Sequence, residues 1–171
     1  MSNTNTYQSL YWNELVQLKS HIYYLDEYLS LTVKIDRWVN GLLAFTSSTS
    51  IATWAVWQRY QLLWACLIGV SQVVTALKPL LPYESRRKAI SALLPELNDL
   101  WLFAGRNWFS VSKGKLTEEQ VNNLVFDVRQ KKEATIQKHL TSTSLPDNEG
   151  CVEKAKAKTK IYFRDTYQVE V

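Results

Sequence analysis

The residue types that most often carry out chemistry in proteins are few in this chain and lie far apart. Its two histidines, His21 and His139, and its two cysteines, Cys66 and Cys151, stand in no metal-ligand spacing. The sequence has no phosphate-binding glycine loop, no G-x-S-x-G nucleophile turn and no H-E-x-x-H motif. Carboxylates are plentiful, but on amphipathic helices they are usually solvated surface groups. We therefore predict no enzyme, no metal site and no cofactor.

Polar side chains inside an uncharged stretch are better candidates for function. Residues 38–77 contain a single charged residue, Arg59. An amide or hydroxyl within a membrane needs a partner, which makes it a functional candidate. The candidates for pore lining or subunit contact are Thr46, Ser50, Thr53 and Gln72. A structural role stays open beside the functional one, because Ser and Thr can bond their own helix carbonyls and Gln72 can bridge to Ser48.

Small residues follow one face of each half of this stretch when they are placed on a helical wheel. In the first half they are Gly41, Ala44, Ser48 and Ala52, and in the second half Ala65, Gly69 and Ala76. Small residues allow membrane helices to approach closely. We therefore expect the two stripes to pack against each other.

The element that would position these residues is a pair of apolar helices. Residues 38–58 form 21 consecutive uncharged positions, and residues 60–77 form 18 more. At 1.5 Å per residue, 21 residues span roughly 31 Å, close to the bilayer's hydrocarbon thickness of about 30 Å. We predict a transmembrane hairpin over 38–82, with spans of about 38–58 and 60–82 and a turn at Arg59. The alternative is an apolar helical hairpin at the centre of a bundle.

Basic residues near the ends of the two spans set the expected orientation. They are Lys34 and Arg37 before the first span and Lys78, Arg86, Arg87 and Lys88 at and after the end of the second. Since Arg59 is the one basic residue in the turn, the positive-inside rule places both termini in the cytoplasm. The cluster at 86–88 lies where it can contact anionic lipid headgroups, but an ordinary topology anchor is the better explanation of it.

Amphipathic helices are expected on both sides of the hairpin, in regions 1–37 and 83–171. Region 1–37 has apolar residues in steps of 4, 3, 4, 3 and 4, which is a heptad seam. The seam consists of Tyr11, Leu15, Leu18, Ile22, Leu25 and Leu29. It is expected to pack either on the chain's own C-terminal helices or on another chain in a coiled coil. The predicted fold class is therefore all-α, with a two-transmembrane helical hairpin flanked by cytoplasmic amphipathic helices.

Three helices are expected after the hairpin. The first runs from about 84 to 111, with Pro95 splitting or kinking it. The run T-E-E-Q at 117–120 is a capping box that begins a second helix, ending near 140. Residues 141–150 are rich in turn formers and predict a loop, and a last helix covers about 151–166.

The run SSTSIATWAVWQRYQLLWACLIGVSQVVTALKPLLPY at 47–83 resembles a group of small bacterial two-span proteins. These are the SLATT-type transmembrane effectors of anti-phage systems, including retron-associated effectors. The resemblance covers roughly residues 8–140. It rests on the layout of the helices and the composition of the hairpin, without a catalytic signature.

The resemblance implies an antiviral toxin of the bacterial inner membrane that acts by abortive infection. Such an effector is held inactive until infection, then oligomerises and permeabilises or depolarises the membrane. The implied inhibitor is a protein or ribonucleoprotein, in a retron a reverse transcriptase with its DNA–RNA product, which would hold the chain in solution before activation. The alternative function is a non-toxic helical adaptor whose apolar hairpin is buried against a partner chain.

Overall fold

A computed structural model describes residues 3–47, 61–77, 83–140, 145 and 147–169. The described residues are helical almost throughout and contain no strand. The helices are α1 (Asn3–Ser47), α2 (Gln61–Leu77), α3 (Tyr83–Ser112), α4 (Glu118–Leu140) and α5 (Glu149–Tyr167). The predicted all-α fold class is confirmed.

The membrane-spanning part of the predicted fold class is not supported. Within 3–47, 61–77, 83–140 and 147–169, no helix combines the length and the apolar character that crossing a membrane requires. Of the first predicted span, residues 38–47 belong to α1. Of the second span, α2 covers 17 residues. The rest of both spans and the predicted turn at Arg59 lie outside the described residues.

The chain divides into two compact units. Unit 1 comprises Met1–Leu29 and Ser85–Val171, and therefore holds the first part of α1 together with nearly all of α3 and the whole of α4 and α5. Unit 2 is Ser30–Glu84 and holds the rest of α1 and α2. The predicted regions 1–37 and 83–171 thus both contribute to unit 1.

The heptad seam of α1 lies in the core of unit 1. Tyr11, Leu15, Leu18, Ile22 and Leu25 are buried, and Leu29 is half-buried. The other helices contribute apolar residues at helical spacing, among them Ile90, Leu93 and Leu97 of α3, Val121, Val125 and Val128 of α4, and Phe163 of α5. Since each helix has one apolar face, burying these faces together forms a core. The seam packs within the chain, as the first of the two alternatives predicted.

Local sequence signals explain where the helices of unit 1 begin and end. Thr117 Oγ1 accepts a hydrogen bond from the Gln120 N–H, and Gln120 Oε1 accepts one from the Thr117 N–H at 2.9 Å. This reciprocal pair is the predicted capping box, and α4 begins at Glu118. Asn148 caps α5 by accepting a hydrogen bond from the Cys151 N–H. Pro95 does not split α3, which is continuous across it.

Candidate functional site

Unit 2 contains the residues that the sequence predicts to line a pore or to pack between membrane helices. The structure describes those on α2 most fully. Ser71 is buried, whereas most other described side chains of α2 are exposed. Ser71 Oγ donates to the Leu67 carbonyl at 2.8 Å, and Thr75 Oγ1 donates to the Ser71 carbonyl at 2.8 Å. Both hydroxyls are therefore satisfied by their own helix.

The predicted pore-lining residues are only partly described. Gln72 lies on α2 and is exposed, with no hydrogen-bond partner among the described residues. Thr46 belongs to α1, and its side chain is not described. Ser50 and Thr53 lie outside the described residues. The pore-lining role stays a prediction.

The small-residue stripes are exposed where the structure describes them. Gly41 and Ala44 on α1, and Ala65, Gly69 and Ala76 on α2, all belong to the exposed class. A Cβ atom added at Gly41 or Gly69 would meet no atom of the described residues within 4 Å. Ser48 and Ala52 lie outside the described residues. Packing between the two stripes therefore stays a prediction, and neither glycine lies at a close contact here.

The basic cluster at the start of α3 is partly enclosed by protein. Arg86 and Arg87 are half-buried, and Lys88 is exposed. The Arg86 Nε is buried and has no hydrogen-bond partner among the described residues. The cluster thus consists of one exposed base and two half-buried bases, and its contact with lipid stays a prediction.

A buried carboxylate joins α1 to α4 in unit 1. The Glu14 side chain is 3% exposed, and its Oε2 accepts from Arg129 Nε at 2.7 Å. Its Oε1 accepts from Lys132 Nζ at 3.3 Å. Burying a charge is unfavourable unless it is paired and hydrogen-bonded, and here two cations pair with one carboxylate. This arrangement orients α4 on α1 and is compatible with a structural role.

Neither histidine belongs to a group of side chains able to hold a metal ion in the described part of the chain. His21 lies near Lys132 and Glu133 of α4, and its buried Nε2 has no hydrogen-bond partner in the part of the chain that the structure describes. Burial, followed by the Lys132 charge, lowers the pKa of His21 below its ordinary value. His139 Nε2 lies 2.9 Å from Glu96 Oε1. The described residues contain no group of three His, Cys, Asp or Glu side chains able to hold a metal ion.

The ammonium group of Lys19 lies among three aromatic rings from three helices. Its Nζ is 4.2 Å from the ring centre of Trp101, 4.9 Å from Tyr162 and 5.0 Å from Tyr23. These distances are within the range of cation–π attraction. Burial lowers the pKa of Lys19. The Lys19 side chain therefore joins α1, α3 and α5 through cation–π contacts rather than through an ion pair with a carboxylate.

An open groove of about 400 Å³ lies at one end of unit 1. It is lined by Gln8, Ser9, Trp12, Trp108, Tyr167 and Val169. Trp12 packs against Trp108 at 4.9 Å and against Tyr167 at 5.2 Å between ring centres. Since no charged or nucleophilic side chain lines the groove apart from the Ser9 hydroxyl, it has the character of a core edge.

The sequence interpretation missed Glu14 and Lys19. Glu14 precedes the seam residue Leu15, and Lys19 follows the seam residue Leu18. A charged residue next to a predicted core position was the feature of the sequence that could have identified them. That signal predicts a need for a partner. It does not identify Arg129 or Trp101, which are more than 80 residues away in the sequence.

The chain matches no protein-family model, no curated protein and no solved structure.

Proposed function

We propose that this protein is a two-span effector of the bacterial inner membrane, with both termini in the cytoplasm. On release from an inhibitory partner it oligomerises and permeabilises or depolarises the membrane. In this proposal unit 2 contacts lipid, and unit 1 carries the contacts to the inhibitor. The setting, an abortive-infection defence against phage, rests on the resemblance of residues 47–83 to SLATT-type effectors.

The observation that carries the proposal is that the described residues of unit 2 bury hydroxyl groups and expose large apolar side chains, the reverse of the arrangement in unit 1. Among its described side chains, the two buried residues are hydroxyl-bearing, Thr32 and Ser71. Its exposed large apolar residues are Ile35, Trp38, Phe45, Leu62, Ile68, Val70 and Val73. Every buried apolar residue in the described part of the chain belongs to unit 1. Exposed apolar surface of this kind is typical of contact with lipid or with another chain.

The hydroxyl groups of α2 are compatible with lipid as the surrounding medium, whereas the exposed amide of Gln72 would need a partner there. In hydrocarbon each polar group must be satisfied within the protein, because no water is present to bond it. The Ser71 and Thr75 hydroxyls donate to carbonyls of their own helix. No charged residue occurs among the 17 residues of α2. A helix of this composition has few groups that oppose transfer into a bilayer.

The sequence beyond α2 extends this apolar character. The 17 residues of α2 correspond to about 26 Å of helix, slightly less than the hydrocarbon thickness. Leu80 and Leu81 follow, and the intervening Lys78 has a stem long enough to bring its ammonium group to the lipid headgroups. Residues 60–82 thus offer sufficient length for the proposed second span.

The proposal is tested by expressing the full chain in a bacterial host. Membrane association is measured by carbonate-resistant sedimentation, and depolarisation by a potential-sensitive dye in the same cells. We expect the wild-type chain to sediment with membranes and to depolarise the cells. Val70→Lys should reduce both, since a charge at mid-membrane costs about 2.5–3.5 kcal/mol on insertion scales.

Ile161→Lys is the matched control. Ile161 on α5 is 51% exposed and Val70 is 54% exposed, so both substitutions place a lysine at a similarly open position. We expect Ile161→Lys to behave as wild type. If the wild-type chain stays in the supernatant and the cells stay polarised, the effector proposal is wrong. The apolar surface of unit 2 is then an interface, and pull-down of its partner becomes the test of the adaptor function.

A further inference from the structure

The outer face of α3 carries a second stripe of residues at heptad spacing, on the side of the helix that faces away from the core. Its positions follow one another in steps of 3, 4, 3 and 4. They are Pro95, Asn98, Leu102, Gly105 and Phe109. The Leu102 and Phe109 side chains are 60% and 61% exposed. An exposed stripe with large apolar side chains is typical of contact with another chain.

The other three helices of unit 1 pack on other sides of α3. The helix α1 contacts α3 at Ala104, α5 contacts it at Trp101, and α4 contacts it at Glu96. Leu102 is two positions before Ala104, which is about 200° around a helix of 3.6 residues per turn. Phe109 follows Leu102 after two turns and lies on the same side. The stripe therefore faces outward from the three helices that pack on α3.

Two residues of opposite charge lie along one edge of the stripe. Asp99 and Arg106 are exposed, and each directly follows a stripe position. They are seven residues apart, about 10.5 Å along the helix, whereas side chains that meet on one helix surface are three or four residues apart. Within the part of the chain that the structure describes, neither forms an ion pair. Each charge is therefore available to another molecule.

Gly105 lies within the stripe, although the packing of its own copy does not require a glycine there. A Cβ atom added at Gly105 would meet no atom of the described residues within 4 Å. Glycine inside a helix costs about 1 kcal/mol relative to alanine. Its use on a surface is that the backbone of another element can approach closely. Gly105 thus favours a second helix as the structure that covers this face.

We propose that the outer face of α3 binds the same face of a second copy of the chain, with the two α3 helices antiparallel. A two-fold axis midway between Leu102 and Gly105 places Leu102 of each copy opposite Gly105 of the other. The large side chain of one copy then fits the position without a side chain in the other. This inference does not rest on the proposed membrane function, whose lipid contacts belong to unit 2.

The charges beside the stripe favour a second copy and fix the direction of its helix. The same two-fold axis brings Asp99 of each copy to within about 3 Å, along the helix, of Arg106 of the other, a gap that the long arginine side chain spans. Two equivalent ion pairs then form, as a two-fold interface requires. A parallel arrangement would place Asp99 beside Asp99 and Arg106 beside Arg106, and like charges that face each other are unfavourable. Because both signs belong to one face, the face is complementary to itself.

The proposal is tested by cross-linking the purified full chain in a mild detergent, which covers the apolar residues of unit 2. Single cysteines are introduced into a Cys66→Ser/Cys151→Ala chain and joined by a short bismaleimide. Chains with Pro95→Cys and chains with Ser112→Cys should cross-link only when they are mixed, because the antiparallel contact brings position 95 of one copy to position 112 of the other.

Two results of this experiment overturn the proposal. One is cross-linking of Pro95→Cys chains to each other, which indicates a parallel contact. The other is a mixed yield no greater than that of Glu153→Cys chains, whose cysteine lies at an exposed position of α5 and reports chance encounters.

Exchange of the two charges tests the pairing itself, with the mixed cross-linking yield as the measurement. Asp99→Arg and Arg106→Asp each place like charges together across the contact and should lower the yield several-fold. The double variant Asp99→Arg/Arg106→Asp restores opposite charges and should recover the yield. Glu153→Arg reverses an exposed charge on α5 and should leave the yield unchanged. A double variant that does not recover the yield overturns the proposal, and so does an equal loss in Glu153→Arg.

Discussion

Arg129 Nε lies 2.7 Å from Oε2 of Glu14, a carboxylate whose side chain is only 3% exposed. Glu14 lies on α1 between the core residues Tyr11 and Leu15, and Arg129 follows the core residue Val128 on α4. The pair thus lies at the edge of the core, where a charge is partly removed from water. The Glu14 carboxylate is buried, whereas the Arg129 side chain is 46% exposed and can be solvated by water. The charge of Glu14 therefore depends on the ion pair more than the charge of Arg129 does.

This asymmetry predicts unequal effects of removing the two sides of the ion pair. The double variant Arg129→Met/Lys132→Met leaves the Glu14 carboxylate buried and unpaired, which we expect to lower the free energy of unfolding by about 3–5 kcal/mol. Glu14→Gln keeps an oxygen that can accept from Lys132 and leaves Arg129, whose side chain is 46% exposed, able to turn to water, so we expect a loss of only about 1–2 kcal/mol. Denaturant unfolding of the purified full chain, followed by tryptophan fluorescence, measures both.

Combining the substitutions provides the control for that experiment. Adding Glu14→Gln to the double variant removes the unpaired charge, so the triple variant should be more stable than the double variant. If Glu14→Gln proves more destabilising than Arg129→Met/Lys132→Met, the carboxylate is not the dependent partner and the interpretation is wrong.

His21 predicts that acid destabilises unit 1. Burial and then the Lys132 charge lower the pKa of His21 in the folded chain, while its unfolded value stays near 6.5. The unfolded chain therefore binds the proton first as pH falls. The stability contributed by the neutral imidazole is complete above about pH 6.5 and is lost below it. The loss of stability is measured by thermal unfolding from about pH 8 to about pH 5, a range that includes the ordinary pKa of histidine.

Substitution of each histidine separates this effect from general acid destabilisation. His21→Leu should show a weaker fall in Tm with acid than wild type, because its side chain cannot be protonated. His139→Leu replaces the other histidine and should keep the wild-type contribution of His21. Identical pH profiles for wild type and His21→Leu would contradict the assignment.

The capping box of α4 predicts a measurable loss from a single exposed hydroxyl. Thr117→Ala removes the acceptor of the Gln120 N–H, and we expect a loss of about 1 kcal/mol in the free energy of unfolding. Thr135→Ala is the matched control, because Thr135 lies inside α4 and its hydroxyl only bonds the Lys131 carbonyl of its own helix. Denaturant unfolding should rank Thr117→Ala clearly below Thr135→Ala. Equal stability of the two variants would show that the cap does not contribute to the free energy of unfolding.

Substitutions at Gly69 and Gln72 are predicted to abolish depolarisation of the membrane without preventing insertion into it. Both lie on the exposed face of α2, and leucine at either position retains an apolar surface. If that face contacts other copies in the membrane, Gly69→Leu and Gln72→Leu should abolish depolarisation while carbonate-resistant sedimentation persists. Val73→Leu is the control on the same helix and should remain active. Unchanged depolarisation by both test variants would exclude these residues from the active assembly.

The parts of the fold that were predictable depend on residues close together in the sequence. The seam of α1 repeats within each seven residues, and the capping box of α4 involves four consecutive positions. Such signals act within one helix, so they do not require knowledge of the partner. The ends of the helices near Leu140 and Glu149 follow for the same reason.

The contacts of the charged residues were not predictable in this way. The Glu14–Arg129 pair joins positions 115 residues apart, and Lys19 meets rings at 101 and 162. Many lysines, arginines and aromatic residues compete for these roles in the sequence. Only the packing of α1 with α3, α4 and α5 selects among them.

By itself the amino-acid sequence determined the all-helical class, the heptad seam of α1, the cap of α4 and the uncharged stretch that includes α2, because periodicity and composition are properties of neighbouring residues. Only the tertiary structure decided that the seam packs within the chain, that Glu14 is buried between two cations and that Lys19 lies among three rings. The physical reason is that burial and pairing depend on which helices meet. That choice is made by the packing of whole apolar faces rather than by any local pattern.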